Sequence, residues 1–249
     1  MDKEIKKELA VRVIYIVPKD AEPWGDAKRS ATEWLEDIQW FFAEEMERLG
    51  YGRKTFEIAR DERGELIFHQ ISSPLTKEEF GNNRVKNCIR AAQAKGLESR
   101  NDIVIYFYES YDGKVSSQGA RGGRKGVFLG SLYLKRAKRE WIANDNKYDG
   151  EISDWRGKKL GDLSGSAYGV MAHELGHAFG LSNDKPDDKN GRRNLMGQGC
   201  RRMGGYFRRN LIGDLCILSE QNAALLDKSD FFAVRKLKPK SKVFDQAAK

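Results

Sequence analysis

Six consecutive apolar residues, Ile103-Val104-Ile105-Tyr106-Phe107-Tyr108, restrict the fold more than any other segment of the chain. A short β-branched and aromatic run of this kind suits a buried central strand. Such a strand needs other layers to cover it, and the surrounding sequence supplies them. Val11–Pro18 is β-rich and stops at a proline, which predicts a first strand. Between Asp26 and Leu49, the residues Ala31, Trp34, Leu35, Ile38, Phe41, Phe42 and Leu49 recur at three- and four-residue steps. That period predicts an amphipathic helix, closed by Gly50 and Gly52. Thr55–Arg60 and Glu65–Ile71 predict a hairpin around Asp61-Glu62-Arg63-Gly64. A helix over Asn83–Lys95 is stopped at Gly96, and a Gly/Ser/Arg-rich loop, Gly113–Gly126, leads into a strand over Val127–Leu134. Strands alternating with helices predict an α/β fold, a mixed sheet with helices packed on it. We expect one compact unit with a smaller carboxyl-terminal part after residue 180.

Composition narrows the functional classes. The chain of 249 residues carries 45 Lys and Arg against 37 Asp and Glu, a formal charge of +8. Positive residues are interleaved with acids, and no helix-turn-helix, zinc finger or RNA-binding aromatic set is visible, so no nucleic-acid partner is expected. No stretch approaches the roughly 18 apolar residues of a membrane span. The start, Met1-Asp2-Lys3-Glu4-Ile5-Lys6-Lys7, is charged, and no secretory leader is expected there. Three cysteines, Cys88, Cys200 and Cys216, are too few for a disulfide framework, though spacing leaves a Cys200–Cys216 bridge open.

The chemistry concentrates in Met171-Ala172-His173-Glu174-Leu175-Gly176-His177-Ala178-Phe179-Gly180. Histidines four residues apart on a helix lie about 40° apart around its axis, so both rings can reach one metal ion. Met171, Leu175 and Phe179 fall on another face and can anchor the helix. Ser164 or Ser166 is expected to cap its start, and Gly180 to supply the left-handed turn that ends it. Glu174, next to the first histidine, can lie beside the metal without binding it and accept a proton from water.

Gly180, three residues after His177, and Asn194-Leu195-Met196-Gly197 after a polar loop extend the pattern. Together these segments resemble the metzincin clan of zinc metallopeptidases, with its HExxHxxGxxH motif followed by a methionine turn; the close match covers about residues 165–200. The strand–helix order of the first half is similar to the metzincin upper subdomain. The resemblance implies a single metallopeptidase domain, with an upper subdomain over about residues 8–180, a lower one over about 181–235 and a loose tail over about 236–249. It implies Zn2+ as cofactor, His173 and His177 as ligands, Glu174 as general base and Met196 as the Met-turn methionine. It also implies a peptide or protein substrate. Because the clan is largely extracellular, it implies an extracellular or periplasmic setting.

One departure concerns the third ligand. That position falls on Asn183, and the third histidine, His69, lies far upstream. Asp184, one residue on, is the better chemical substitute, because a carboxylate binds zinc more firmly than a neutral amide. Asn183 stays as the alternative, and a weak or empty site stays open. The oxygen-rich segment Asp184–Gly191 lacks EF-hand spacing and reads as an exposed turn. By resemblance, Val127–Leu132 is the edge strand that would pair with extended substrate, with Gly130, Ser131 and Leu132 in contact. The arginines of Gly199–Arg209 could favour acidic groups or form a solvated basic surface. The tyrosine that some metzincins place after the methionine is Gln198 here, and Tyr206 is a candidate for its role. Ser219 is expected to cap a terminal helix under the site.

Overall fold

The computed structural model describes residues 9–98, 101–109, 120–124, 126–142, 144–150, 152, 155–184, 192–208 and 216–240. Strand β1 (Ala10–Pro18) and strand β5 (Ile103–Tyr108) form its middle, paired in parallel over six residues. Every residue of β5 is buried, as the apolar run predicts. On the other side of β1 lie β3 (Glu57–Ile58) and β4 (Phe68–Ser73), both parallel to it. Beyond β5 comes β7 (Val127–Gly130), parallel, and then β6 (Ala120–Arg121), antiparallel, giving the order β3-β1-β5-β7-β6 with β4 also on β1. β2 (Lys54–Thr55) pairs separately with β8 (Ala233–Val234).

The helices cover this sheet on both faces. α1 (Ala27–Arg48) buries the predicted face, Ala31, Trp34, Leu35, Ile38, Phe41 and Phe42, in one cluster with Val11, Val13, Ile105 and Phe107. α2 (Lys77–Asn82) is capped by Thr76, and α3 (Arg84–Gln93) places Cys88 and Ala92 against Ile14, Ile16, Tyr106 and Phe128. α4 (Ser131–Arg136), α5 (Leu160–Ala178), α6 (Met203–Arg208) and α7 (Glu220–Asp227) complete the order. Among the described residues, no helix is long and apolar enough to cross a membrane.

Several expectations are corrected. The Asp61–Gly64 turn forms, with Gly64 N donating to Asp61 O at 2.9 Å and one antiparallel bridge, Arg60 to Leu66. The flanking strands do not continue as a hairpin, because β4 finds a six-residue parallel ladder on Val13–Pro18. A buried central strand outcompetes an isolated two-stranded ribbon. The strand over 127–134 stops at Gly130. Beyond it, Leu132 packs with Trp155 and Leu163 while Leu134 joins the main core, and the helical turn of α4 serves both directions. β6 arises inside the segment expected to be a loop. Cys88, Cys200 and Cys216 are all buried free thiols, so the Cys200–Cys216 bridge does not form. The tail was expected to be loose from residue 236, yet residues up to 240 run along α1. Trp40 Nε1 donates to Lys238 O at 2.8 Å, and Lys240 Nζ meets Glu44 Oε1 at 2.8 Å.

α5 is seated by buried polar contacts and by its glycines. Arg139 holds Asp37 of α1 with two hydrogen bonds, 3.0 and 2.8 Å, and Tyr168 of α5 donates to the same carboxylate at 3.0 Å. Burial pushes the Asp37 carboxyl up to about 6 against the pull of Arg139. The helix starts at Leu160 after Lys159, with no side-chain cap; Ser164 lies a turn inside and donates to Lys138 O at 2.8 Å. A Cβ on Gly169 would sit 1.5 Å from Cys200 O, and one on Gly165 would sit 2.5 Å from Gly204 Cα. These glycines let the short 3-10 helix Gln198–Arg202 and α6 press directly on α5. Gly169→Ala is therefore expected to cost about 1–3 kcal/mol through overpacking, or about 2–12 °C in Tm for a chain of this size. Gly81→Ala, with nothing within 4 Å of its Cβ, is the thermal-denaturation control and should lose nothing.

Candidate metal centre

Near the end of α5, His173 and His177 turn their rings toward each other, Nε2 to Nε2 at 3.1 Å and ring planes at 89°. Each Nδ1 lies 2.8 Å from a backbone carbonyl, His173 from Leu195 O and His177 from Leu181 O. A carbonyl only accepts, so each Nδ1 carries the hydrogen and each neutral ring presents a lone pair at Nε2. Two lone pairs at this distance repel unless a cation or a shared proton stands between them. Two zinc–nitrogen bonds of about 2.0–2.1 Å at a tetrahedral angle would hold the nitrogens roughly 3.3 Å apart. The donor pair thus fits zinc, with the backbone carbonyls fixing both tautomers from behind.

Local sequence explains the aim of the rings. Gly180 adopts φ +93°, and Leu181 N donates to Gly176 O at 3.0 Å while Gly180 N donates to His177 O at 3.1 Å. This is a Schellman stop, which only a residue tolerant of positive φ makes cheaply. It folds Leu181 O back onto His177. Asn194–Gly197 closes a tight turn, Gly197 N to Asn194 O at 3.0 Å, and presents Leu195 O to His173. Met196 is fully buried under α5; a Cβ on Gly176 would lie 2.5 Å from its Sδ.

Glu174 is half-buried and opens on a cavity of about 690 Å³ shared with His173, Tyr133, Gln198, Arg201 and Arg202. Its Oε2 accepts from Gly122 N, just past β6. A Cβ on Gly122 would lie 1.8 Å from Glu174 O, so the chain after β6 rests directly on the backbone of α5. An adjoining cavity of about 400 Å³ shares His173, Gly197 and Gln198 and adds Asn183, Asp184 and Arg192.

The structure brings His173 to His177, sets Glu174 on the same cavity as His173 and places Met196 against Gly176. The third position is different. Asn183 is exposed at the adjoining cavity. Asp184 accepts from Ser219 Oγ at 3.2 Å and Asn222 Nδ2 at 3.1 Å, at the start of α7, and its N donates to Met196 O at 3.0 Å. Ser219 caps α7 as expected. Among the described residues, no third His, Cys, Asp or Glu joins the two histidines. His69 sits on β4, on the far side of β1 from β5. The turn expected over 184–191 lies, after Asp184, outside the described residues.

The edge reading is corrected as well. β6 pairs with Phe128 and Leu129 on the outer side of β7, while Ser131 and Leu132 are buried in α4, so Ser131 and Leu132 offer no free strand edge. Among the described residues that edge is β6. Tyr206 donates to Glu44 and stacks edge-on with Phe41, away from the cleft. Tyr133, which no motif marked, lines the cavity instead. Burial raises its pKa, the nearby positive Arg136 offsets part of that rise and the charge of Glu174 adds to it, so the phenol stays protonated at neutral pH. Gly122 was equally unmarked, its only sequence sign being the glycine-rich segment around it.

The mixed sheet, the helix carrying both histidines and the methionine turn beneath them make this a metzincin-like α/β fold. No protein-family profile matches the sequence, and no curated protein matches it significantly. Solved structures do. Two crystal structures of wild-type OgpA from Akkermansia muciniphila match with TM-scores of 0.58 and 0.61 at 20% and 21% identity, over 94% and 93% of this chain. Catalytically inactive OgpA in complex with an O-glycopeptide (glycodrosocin) substrate matches at 0.59, with 20% identity over 94% of this chain. Only 64–65% of the OgpA chain is covered in these matches. Archaemetzincin (amzA) from Methanopyrus kandleri is more distant, at 12% identity and a TM-score of 0.38 over 86% of this chain and 92% of its own. At 20–21% identity the likeness to OgpA is one of fold.

Proposed function

We propose that this chain is a zinc-dependent metallopeptidase that hydrolyses peptide bonds with Glu174 as general base. The observation that carries the reading is the pair of Nε2 atoms converging at 3.1 Å, one of them on His173, which lines the same cleft as Glu174. His173 and His177 would hold the metal, with the third protein donor from Asn183 or Asp184. Zinc, when bound, supplies the Lewis acidity that brings the pKa of water toward about 7 and polarises a carbonyl. Glu174 takes the proton of the attacking water and passes it to the leaving amine. Gly122 N–H holds the carboxylate in place for that transfer. Tyr133, protonated and facing the same cavity, can donate to the oxygen of the attacked carbonyl. Met196 forms the floor without touching substrate. An extended peptide would add to the β6 edge through main-chain hydrogen bonds. The kinship in fold with OgpA makes O-glycopeptides a substrate class to assay beside plain peptides. An extracellular or periplasmic setting follows from the clan resemblance and belongs to this proposal.

Asn183 at the third-ligand position motivates a second reading, a non-catalytic metzincin-like binding module with a weakened metal site. Metal analysis of freshly purified protein separates the two. Stoichiometric, tightly held zinc, with hydrolysis of a general protein substrate that stops on chelation and returns with zinc, is the expected result. Protein that holds no zinc and cleaves nothing after zinc is supplied would favour the binding module.

A further inference from the structure

A second cavity, about 670 Å³, opens on the other side of the β6 turn. Its floor is apolar, Ile89 of α3 and Phe128 of β7, and its rim carries Lys86, Arg90, Arg121 and Arg124. All four cations are exposed, and none makes an ion pair with a described carboxylate. Among the described residues, no Asp or Glu lines this cavity. Other cations of the chain do find acids, as in Arg139–Asp37, Lys135–Glu109 and Arg60–Glu36. Four like charges around one hollow repel each other and are stabilised by an anion that enters it.

The position of the cavity relates it to the cleft. Ala120 lines the cavity that holds Glu174, and Gly122, whose N–H binds Glu174, lines the cationic one. Two residues of extended chain span roughly 7 Å. A peptide laid along the β6 edge would therefore reach both, with its bond to be cut over Glu174 and a side chain one to three residues away over the cations.

We propose that this cavity is a subsite for acidic side chains of an extended peptide, so that the enzyme selects substrates with Asp or Glu flanking the scissile bond. The inference rests on the peptidase reading of the cleft. It identifies carboxylates on one side of β6 as the recognised group, held by guanidinium and ammonium groups over an apolar floor.

The test is a binding measurement, independent of turnover. Short fluorescent peptides that differ only in Glu, Gln or Lys are titrated by anisotropy onto the full chain carrying Glu174→Gln, at low and high salt. The Glu peptide is expected to bind at least about tenfold tighter than its Gln counterpart at low salt, a margin that shrinks as salt rises. Combined Lys86→Ala, Arg90→Ala, Arg121→Ala and Arg124→Ala should erase that margin, and Arg121→Glu with Arg124→Glu should turn the preference toward the Lys peptide. Equal binding of the Glu and Gln peptides overturns the proposal. So does a preference that survives the fourfold change, or tighter binding of a single-stranded oligonucleotide of equal charge. Failure of the peptidase reading shows separately, as wild-type protein that cleaves no peptide of the series whatever it binds.

Discussion

Glu174→Gln is expected to reduce peptide hydrolysis by about 10²–10⁴-fold while zinc content stays unchanged. The amide keeps the size of the side chain and an oxygen that can still accept from Gly122 N–H, so the seat of the residue on β6 is preserved. What it removes is the ability to take a proton from water. The loss should therefore appear in kcat with little change in KM. Thermal denaturation of the two proteins side by side should give the same Tm. Equal turnover by zinc-loaded wild type and variant would remove Glu174 from the mechanism and with it the proposed chemistry.

Replacing His177 by alanine is expected to abolish stoichiometric zinc binding and, with it, all activity. The ring contributes one of only two imidazoles at the site, and Leu181 O would be left without its donor. Zinc added at 100 times its dissociation constant should stabilise wild type by about 2.7 kcal/mol and raise its melting temperature, and should leave His177→Ala unmoved. Metal analysis by mass spectrometry gives the stoichiometry directly. The same assay on Asn183→Ala and Asp184→Ala identifies the third donor. If Asp184 serves only α7, its loss frees Ser219 and Asn222 and lowers stability while zinc content holds. If it binds the metal, zinc content falls. Retention of full zinc by His177→Ala would show that the converging rings are not a metal site.

The parts of this molecule that were readable in the sequence are those whose cause is local. β5 announces itself through six apolar residues and α1 through its period, because burial of one face dictates which positions are apolar. The convergence of His173 and His177 is readable for the same reason, since helical spacing alone brings their rings together. The turn at Asp61–Gly64 was also correct, but its chemistry does not decide which partner the flanking strands choose; β1 does, from more than forty residues upstream in sequence. α4 was read as strand because Leu132 and Leu134 alternate, although they pack into different clusters. Gly122 binds Glu174 across 52 residues and carries no side chain to mark the contact. Asp184 is a candidate metal ligand by chemical type, and its carboxylate also accepts from residues 35 and 38 positions later in the chain. Ligand character can be read from one residue; the competing donor cannot.

The Schellman stop at Gly180 has a bearing on how such a site diversifies. Both imidazoles are oriented by main-chain oxygens, those of Leu181 and Leu195, and neither depends on the side chain of residue 183 or 184. The ring of His177 is thus aimed by the helix exit itself, and that of His173 by the Asn194–Gly197 turn. In the proposed metal site, substitution at residues 183 and 184 would then alter how strongly an ion is gripped without changing the main-chain oxygens that aim the rings. A histidine, aspartate or asparagine in that stretch becomes a setting of affinity on an unchanged chassis, which accounts for how this chain keeps the geometry of the motif while departing from its third letter.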